Sequence, residues 1–194
     1  VGQLTQADTL AQAVEGVDAI VFTHGSDGDK ADNRAIDYGG VRNVLIALGG
    51  RRVRIALMTA IGVTDRTGAY NRRTEAHDWK RRSERLVRAS GNLYTIVRPG
   101  WFDYNDADQH RLVMLQGDTR HAGTPADGVI ARRQIAEVLV ASLTLDDACN
   151  KTFELIAEVG PEPRDLAPLF AAVTVDDADA PDGVGDVANM PPHQ

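Results

Sequence analysis

The chain has 194 residues, of which 43% are hydrophobic and 25% charged, and a formal net charge of −7. This length and composition predict one globular domain with a buried core. The acidic balance argues against nucleic-acid or anionic-membrane binding, which needs a basic surface. No apolar run approaches the roughly 20 residues of a membrane span, and Cys149 is the single cysteine. We therefore expect a cytoplasmic protein without disulfides. The sequence contains no Cys/His cluster at ligand spacing, so we expect no metal site.

Apolar periodicity predicts alternating elements, taken here in chain order. The first part reads as a helix over residues 7–15, a strand over 17–22, a helix over 33–48, a strand over 53–58 and a loop over 64–74. The second part reads as a helix over 75–90, strands over 93–97 and 111–115, a helix over 132–143, a strand over 152–156 and a helix over 165–173. Such alternation predicts an α/β fold, a doubly wound parallel sheet with helices on both faces.

The domain is expected to span residues 1–173. Beyond it, residues 174–194 are rich in Asp, Gly and Pro and offer little apolar surface to bury. That composition predicts a disordered tail.

The helix over residues 75–90 carries the most informative side chains. On a helical wheel Ala76 lies on the apolar face, and Lys80 lies on its flank, about 40° away. His77, Arg81 and Glu84 fall on the other side, which we expect to be solvated. Lys80 is therefore able to extend its amine past the packed face to a ligand, or to pair with Glu84 one turn later.

Four segments of the sequence match the pattern of a known protein family. They are the strand-like 16–21, the helical 37–44, the strand-like 55–62, and the stretch 80–102 with its Arg98-Pro99-Gly100 turn. Together they resemble the short-chain dehydrogenase/reductase superfamily, in its atypical branch of NmrA-like and flavin-reductase-like proteins. The resemblance covers residues 1–157 and implies a Rossmann-like fold that binds NAD or NADP and a small-molecule substrate.

The resemblance also exposes a difference at the N-terminus. The family's phosphate-binding GxxGxxG loop follows its first strand, and no such motif occurs in this sequence. Gly2-Gln3 instead resembles the end of the third strand, which implies that the first βαβ unit is missing and a sheet edge is exposed. The residue that distinguishes NADP from NAD normally follows the second strand, so the sequence leaves that choice open.

The family's catalytic Tyr-x-x-x-Lys is altered here, because Ala76 stands in the place of the tyrosine before Lys80. In relatives the lysine binds the nicotinamide ribose and lowers the tyrosine pKa, so that the phenol transfers a proton. Thr59 stands where the family has a serine. Its hydroxyl is predicted to bond either a substrate carbonyl or the local backbone. His77 is a weaker candidate to replace the tyrosine, against the alternative of a solvated histidine.

Other candidate site residues follow the ends of predicted strands, where ligands bind in open α/β sheets. The resemblance implies that the cofactor contacts Thr23, His24, Gly25, Pro99 and Gly100, and that the substrate pocket is walled by Tyr70, Asp103, Tyr104 and His110.

Two functions fit these residues. One is an oxidoreductase that transfers hydride from NAD(P)H to an unknown small acceptor, such as a flavin, quinone or carbonyl. The other is a non-catalytic NAD(P)-binding sensor of the NmrA-like kind. A homo-oligomer is compatible with either function, and a third alternative is that this chain by itself binds nothing.

Overall fold

The computed structural model describes residues 2–191. The strands are β1 (Ala19–Phe22), β2 (Arg54–Met58), β3 (Leu93–Pro99), β4 (Trp101–Phe102), β5 (Arg111–Leu115), β6 (Val129–Ile130) and β7 (Lys151–Glu158). The α-helices are α1 (Lys30–Asn33), α2 (Gly39–Leu48), α3 (Ala69–Thr74), α4 (Ala76–Ala89), α5 (Arg132–Ser142) and α6 (Ala167–Ala172), and a π-helical turn (Arg34–Tyr38) joins α1 to α2. No helix in these residues is long and apolar enough to cross a membrane.

The strands form one sheet with a parallel centre. β1, β2, β3 and β7 lie side by side and parallel, with Val97 of β3 between Met58 of β2 and Phe153 of β7. β5 pairs antiparallel with β7. The short strand β6 also pairs antiparallel with β7, and the short strand β4 pairs parallel with β6. The predicted Rossmann-like α/β fold is confirmed, with an antiparallel addition at β5 that the sequence did not reveal.

Helices cover both faces of the sheet, because successive side chains of a strand point to opposite faces. Ile55 and Leu57 of β2 pack with Val41 of α2 and Val87 of α4 in one core. Ala56, between them, belongs to a second core on the opposite face with residues of α5 and α6. Within residues 2–191, β1 pairs with β2 alone, so its other edge is free.

Two local predictions are wrong. Residues 7–15 form a 3-10 turn (Ala7–Thr9) and further turns rather than a helix. The Thr9 hydroxyl accepts a hydrogen bond from the Gln3 N–H (2.8 Å) and donates to the Gln6 carbonyl (2.7 Å), which closes a turn that competes with the helix. The predicted loop over 64–74 contains α3, which follows an Asp65 carboxylate that accepts from the Gly68 N–H at 2.8 Å.

The predicted disordered tail is folded where the structure describes it, through residue 191; residues 192–194 lie outside the described residues. Its acidic residues form ion pairs with arginines of α4 and β3. The pairs are Asp176 with Arg88, Asp182 with Arg81 and Arg85, and Asp186 with Arg98. We call residues 174–191 the C-terminal strap. Composition predicted disorder because the strap has few apolar residues to bury. The strap is instead held by ion pairs between its acidic residues and arginines that lie far away in sequence.

The strap also changes the environment of α4. Arg81 and Glu84, which the helical wheel placed on a solvated face, are both 0% exposed. Arg81 donates to the Val187 carbonyl of the strap at 2.6 Å, while Glu84 faces the sheet. The prediction of a solvated face is therefore wrong, because the C-terminal strap covers Arg81 and residues at the ends of β2 and β3 cover Glu84.

Candidate functional site

The predicted cofactor lysine has a buried acidic partner. Lys80 extends from α4 so that its Nζ lies 2.7 Å from Oδ1 of Asp37, which belongs to the π-helical turn before α2. The Lys80 side chain is 17% exposed and that of Asp37 is 1% exposed. The alternative pairing of Lys80 with Glu84 is wrong, since the ion-pair partners of Glu84 are Arg88 and Arg98.

The backbone around Asp37 is unusual for a helix. Residues Arg34–Tyr38 adopt π-helical geometry between the regular α1 and α2. Such single π-turns occur often at functional sites. The second carboxylate oxygen, Oδ2 of Asp37, is buried and has no hydrogen-bond donor among the described residues.

The loop after β1 lies against this ion pair. The Nε2 of His24 lies 3.1 Å from the carbonyl oxygen of Ile36, to which it donates in the matching tautomer. Burial lowers the pKa of His24, although Asp37 opposes the shift. A Cβ built on Gly25 would lie 3.4 Å from Lys80 Nζ, so glycine leaves the space over the amine open. The structure thus brings His24, Gly25 and Lys80 together, with the exposed Thr23 beside them.

Thr59 makes an interaction that the sequence did not predict. Its buried hydroxyl donates to Oε1 of Glu84 at 2.7 Å, rather than to the local backbone. Glu84 also accepts from Arg98 at 2.7 and 3.0 Å. Burial would raise the pKa of Glu84, but Arg98 and its other hydrogen-bond partners hold that pKa below its ordinary value. The carboxylate is therefore ionised near neutral pH and fixes the direction of the Thr59 hydroxyl.

The place of the family's tyrosine is filled without a polar group. Ala76 is 0% exposed. Its neighbour His77, predicted to be solvated, instead packs its ring against that of the exposed Tyr70, with 5.2 Å between the ring centroids. Burial lowers the pKa of His77, which favours the neutral ring at neutral pH. His77 is thus a poor source of a proton.

Backbone packing by itself explains why glycine occupies the turn at Pro99 and Gly100. Pro99 is the last residue of β3 and lies beside Leu155 of β7. A Cβ on Gly100 would lie 2.5 Å from the carbonyl oxygen of Gly128. Glycine is therefore required here for the close approach of two backbones, whether or not a cofactor passes beside the turn.

Three predicted pocket residues have partners other than Lys80. The Asp103 carboxylate accepts from the Arg132 N–H at 3.0 Å, at the start of α5. Tyr104 is 62% exposed, with its ring edge-on to Trp101, and His110 is exposed as well. Among the described residues, the hydrogen bonds and ring contacts of these three residues involve neither Lys80 nor His24.

The structure contains a buried charge network centred on Arg98 that the sequence did not predict. Arg98 contacts the carboxylates of Glu84, Glu154 and Asp186, and its side chain is 1% exposed. Burial raises the pKa of Glu154 to about 7. The available signal was Arg98 near the end of β3 and Glu154 inside β7, each beside apolar residues, because buried charges are paired.

A large groove in the described part of the chain lies elsewhere. It has a volume of about 1370 Å³ and runs beside α2, α4 and the C-terminal strap, with Arg34, Tyr38, Trp79 and Arg82 in its wall. None of the predicted site residues lines it. The candidate site is therefore defined by the contacts of Lys80 and not by this groove.

Comparison with known proteins identifies the family. The sequence model of a family described as NAD(P)H-binding matches residues 1–146. The chain belongs to this NAD(P)H-binding family. The resemblance to short-chain dehydrogenases and reductases and the expected cofactor, NAD or NADP, are thereby confirmed. The NmrA-like branch stays a prediction.

Two relatives show the range of proteins that share this sequence pattern. An uncharacterised chloroplastic protein of Arabidopsis thaliana is 28% identical over 90% of this chain and 61% of its own length. Sanguinarine reductase of Eschscholzia californica is 34% identical over 50% of this chain and 36% of its own length. The chain thus spans less than two thirds of these relatives. Because the first is chloroplastic, the cytoplasmic location stays a prediction.

A solved structure shares the fold. A protein of Bacillus halodurans, provisionally described as an NAD-dependent epimerase/dehydratase, superposes with a TM-score of 0.69 and 22% identity, covering 89% of this chain and 77% of the other. At this identity the likeness establishes the Rossmann-like fold alone.

The residues around Lys80 suit the ribose of such a cofactor. The amine is a hydrogen-bond donor with part of its surface open, and Gly25 leaves space above it that a side chain would fill. A cationic donor beside an open glycine loop at the carboxyl end of a parallel strand fits a sugar hydroxyl.

Proposed function

We propose that the chain contributes the nicotinamide end of the cofactor site in an NAD(P)H-dependent oxidoreductase with a small acceptor such as a flavin or a quinone. The observation that carries the proposal is the Lys80–Asp37 ion pair beneath Gly25, in a chain of the NAD(P)H-binding family. Sanguinarine reductase, a relative over half of the chain, supports a reductase by its name.

The residues of the site bind and orient rather than supply a proton. When bound, the cofactor supplies a hydride, which carries two electrons to the acceptor. The Lys80 amine holds the ribose. Ala76 has no ionisable group and the Thr59 hydroxyl is bound to Glu84, so the reduced acceptor takes its proton from water. A quinone or flavin suits this arrangement, because its reduced form is protonated readily by solvent.

One observation favours the second candidate, a non-catalytic sensor of NAD(P) state. No acid among the described residues stands in the place of the family's tyrosine, where Ala76 is fully buried. A protein that binds the cofactor without turning it over needs no such acid.

The test measures binding and turnover separately. Cofactor binding is followed by the fluorescence of NADH and NADPH, and turnover by loss of reduced-nicotinamide absorbance with a flavin, a quinone or an aldehyde added. Binding with turnover of any acceptor supports the oxidoreductase, and binding without turnover supports the sensor.

A matched pair of variants tests the role of the ion pair. Lys80→Met is expected to weaken cofactor binding about tenfold or more, through loss of a charged hydrogen bond. Lys30→Met, which removes an exposed lysine paired with Glu75, is expected to leave binding unchanged. No binding of either dinucleotide to the unaltered protein would overturn the proposed function.

A further inference from the structure

The second oxygen of the Asp37 carboxylate has no partner. Asp37 is 3% exposed, and its Oδ1 accepts from Lys80 at 2.7 Å. Its Oδ2 is buried without any donor among the described residues. A buried acceptor without a donor is unfavourable, and native proteins keep few of them. The Asp37 carboxylate therefore holds one acceptor position that no described residue fills.

No neighbouring side chain among the described residues donates to this position. The His24 ring is held by the Ile36 carbonyl, and a Cβ on Gly25 would lie 3.6 Å from Oδ1 of Asp37. Among the described ion pairs, the cation paired with Asp37 is Lys80. Gly25 thus lies beside Oδ1 of the carboxylate and adds no side chain there.

Replacement of the tyrosine by Ala76 removes a hydroxyl from the same face of α4. Ala76 lies one helical turn before Lys80, so a phenol there would have stood beside the amine. Ala76 makes no side-chain hydrogen bond, and its methyl group is fully buried. Any second side-chain contact to a sugar diol bound by the Lys80 amine would then come from a residue other than Ala76.

We propose that Asp37 supplies that contact: the Lys80 amine donates to one hydroxyl of the nicotinamide ribose, and Oδ2 of Asp37 accepts from the other. An amine and a carboxylate held 2.7 Å apart present a donor and an acceptor side by side, which matches two adjacent hydroxyls. The π-helical turn at Arg34–Tyr38 is the local distortion that holds Asp37 in this position. This inference rests on the proposed function.

The experiment combines protein variants with altered cofactors. Asp37→Asn keeps an oxygen for Lys80 and replaces the free acceptor by an NH₂ group, which cannot accept a hydroxyl proton. Asp32→Asn, on the exposed surface of α1, is the matched control. Each protein is titrated with NADPH, with NADH, and with analogues whose nicotinamide ribose lacks the 2′ or the 3′ hydroxyl. Thermal unfolding confirms that each variant is folded.

The expected result is a coupling between Asp37 and one hydroxyl. Asp37→Asn weakens binding of the natural cofactor about tenfold, as loss of a charged hydrogen bond predicts. It has little further effect on the analogue that lacks the hydroxyl bound by Asp37, and its full effect on the other analogue. Asp32→Asn binds every ligand as the unaltered protein does.

Three results would overturn the inference. If Asp37→Asn weakens all ligands by the same factor, Asp37 acts only through its ion pair with Lys80, and if it weakens none, Asp37 has no part in binding; in both cases the proposed function stands. If the unaltered protein binds no dinucleotide, the proposed function fails and the role of Asp37 fails with it. A simple loss of folding is recognised because it affects every ligand equally and lowers the unfolding temperature.

Discussion

Arg98 and Asp186 form a two-point ion pair inside the protein, although 88 residues separate them in sequence. Nη1 and Nη2 of Arg98 lie 2.7 and 2.6 Å from the two carboxylate oxygens of Asp186. Their side chains are 1% and 0% exposed. Such a parallel arrangement is the strongest geometry for an arginine and a carboxylate. It fixes the C-terminal strap to the centre of the sheet.

Removing the Asp186 charge is expected to destabilise the fold. Asp186→Asn leaves Arg98 with the carboxylates of Glu84 and Glu154 but without its two-point partner. Breaking a buried ion pair costs about 3 kcal/mol, which urea unfolding measures directly. Asp179→Asn, in an exposed part of the same strap, is the control and should change stability little. Equal stability of both variants would show that the strap contributes nothing through Arg98.

Stability is expected to fall between about pH 5 and pH 8 because of Glu154. Its pKa is raised by burial from 4.5 to about 7, so in this range the folded chain holds a proton that the unfolded chain has released. The folded state loses that advantage as pH rises through the folded pKa, by about 2.5 kcal/mol between pH 5 and pH 8. Glu154→Gln carries no titrating group there. Its stability relative to the unaltered protein should therefore rise by that amount from pH 5 to pH 8, and a constant difference would contradict the prediction.

The layout of the fold was predictable because its signals are local. Each strand of the parallel centre is a short apolar run, and the helices repeat apolar residues every three or four positions. The strap was not predictable in this way. Asp182 and Asp186 meet arginines 88 to 101 residues upstream, and no local pattern distinguishes such acids from those of a solvated tail.

The Lys80–Asp37 pair is expected to behave as one energetic unit. Lys80→Met alone leaves a buried carboxylate without its cation, whereas Asp37→Asn alone leaves a partly exposed amine. The double variant should be more stable than the sum of the single losses predicts, by about 2 kcal/mol. The same cycle on the exposed pair Lys30–Glu75 is the control, and its coupling should be far smaller. Additive losses at Lys80 and Asp37 would contradict the buried ion pair.

Two glycines should respond differently to alanine. Gly100→Ala places a Cβ 2.5 Å from a backbone oxygen, so the strands β4 and β6 must separate, at a cost of about 3 kcal/mol. Gly49→Ala, at the end of α2, meets open space and is strained only by its φ of +59°, which costs about 1 kcal/mol. Thermal or urea unfolding distinguishes the two. A loss at Gly100 no larger than at Gly49 would show that the backbones separate easily.

The site was predictable only in part. The spacing on the helix identified Lys80 as the side chain at the edge of the packed face. Its partner could not be chosen from the sequence, because the choice between Glu84 and Asp37 depends on how α4 is rotated against the sheet. Two contacts fix that rotation. Arg98 of β3 donates to Glu84 on the side of α4 that faces the sheet, and Arg81 donates to the C-terminal strap. Both contacts join residues that are distant along the chain.

The position of Asp186 has a consequence for the order in which the molecule assembles during translation. The sheet strands up to β7 and the helix α4 are synthesised before residue 186 leaves the ribosome. Until then the guanidinium of Arg98 sits in the forming core with an incomplete set of counter-charges. We therefore expect the nascent chain to remain incompletely packed, and accessible to chaperones and proteases, until the C-terminal strap has been synthesised and binds Arg98.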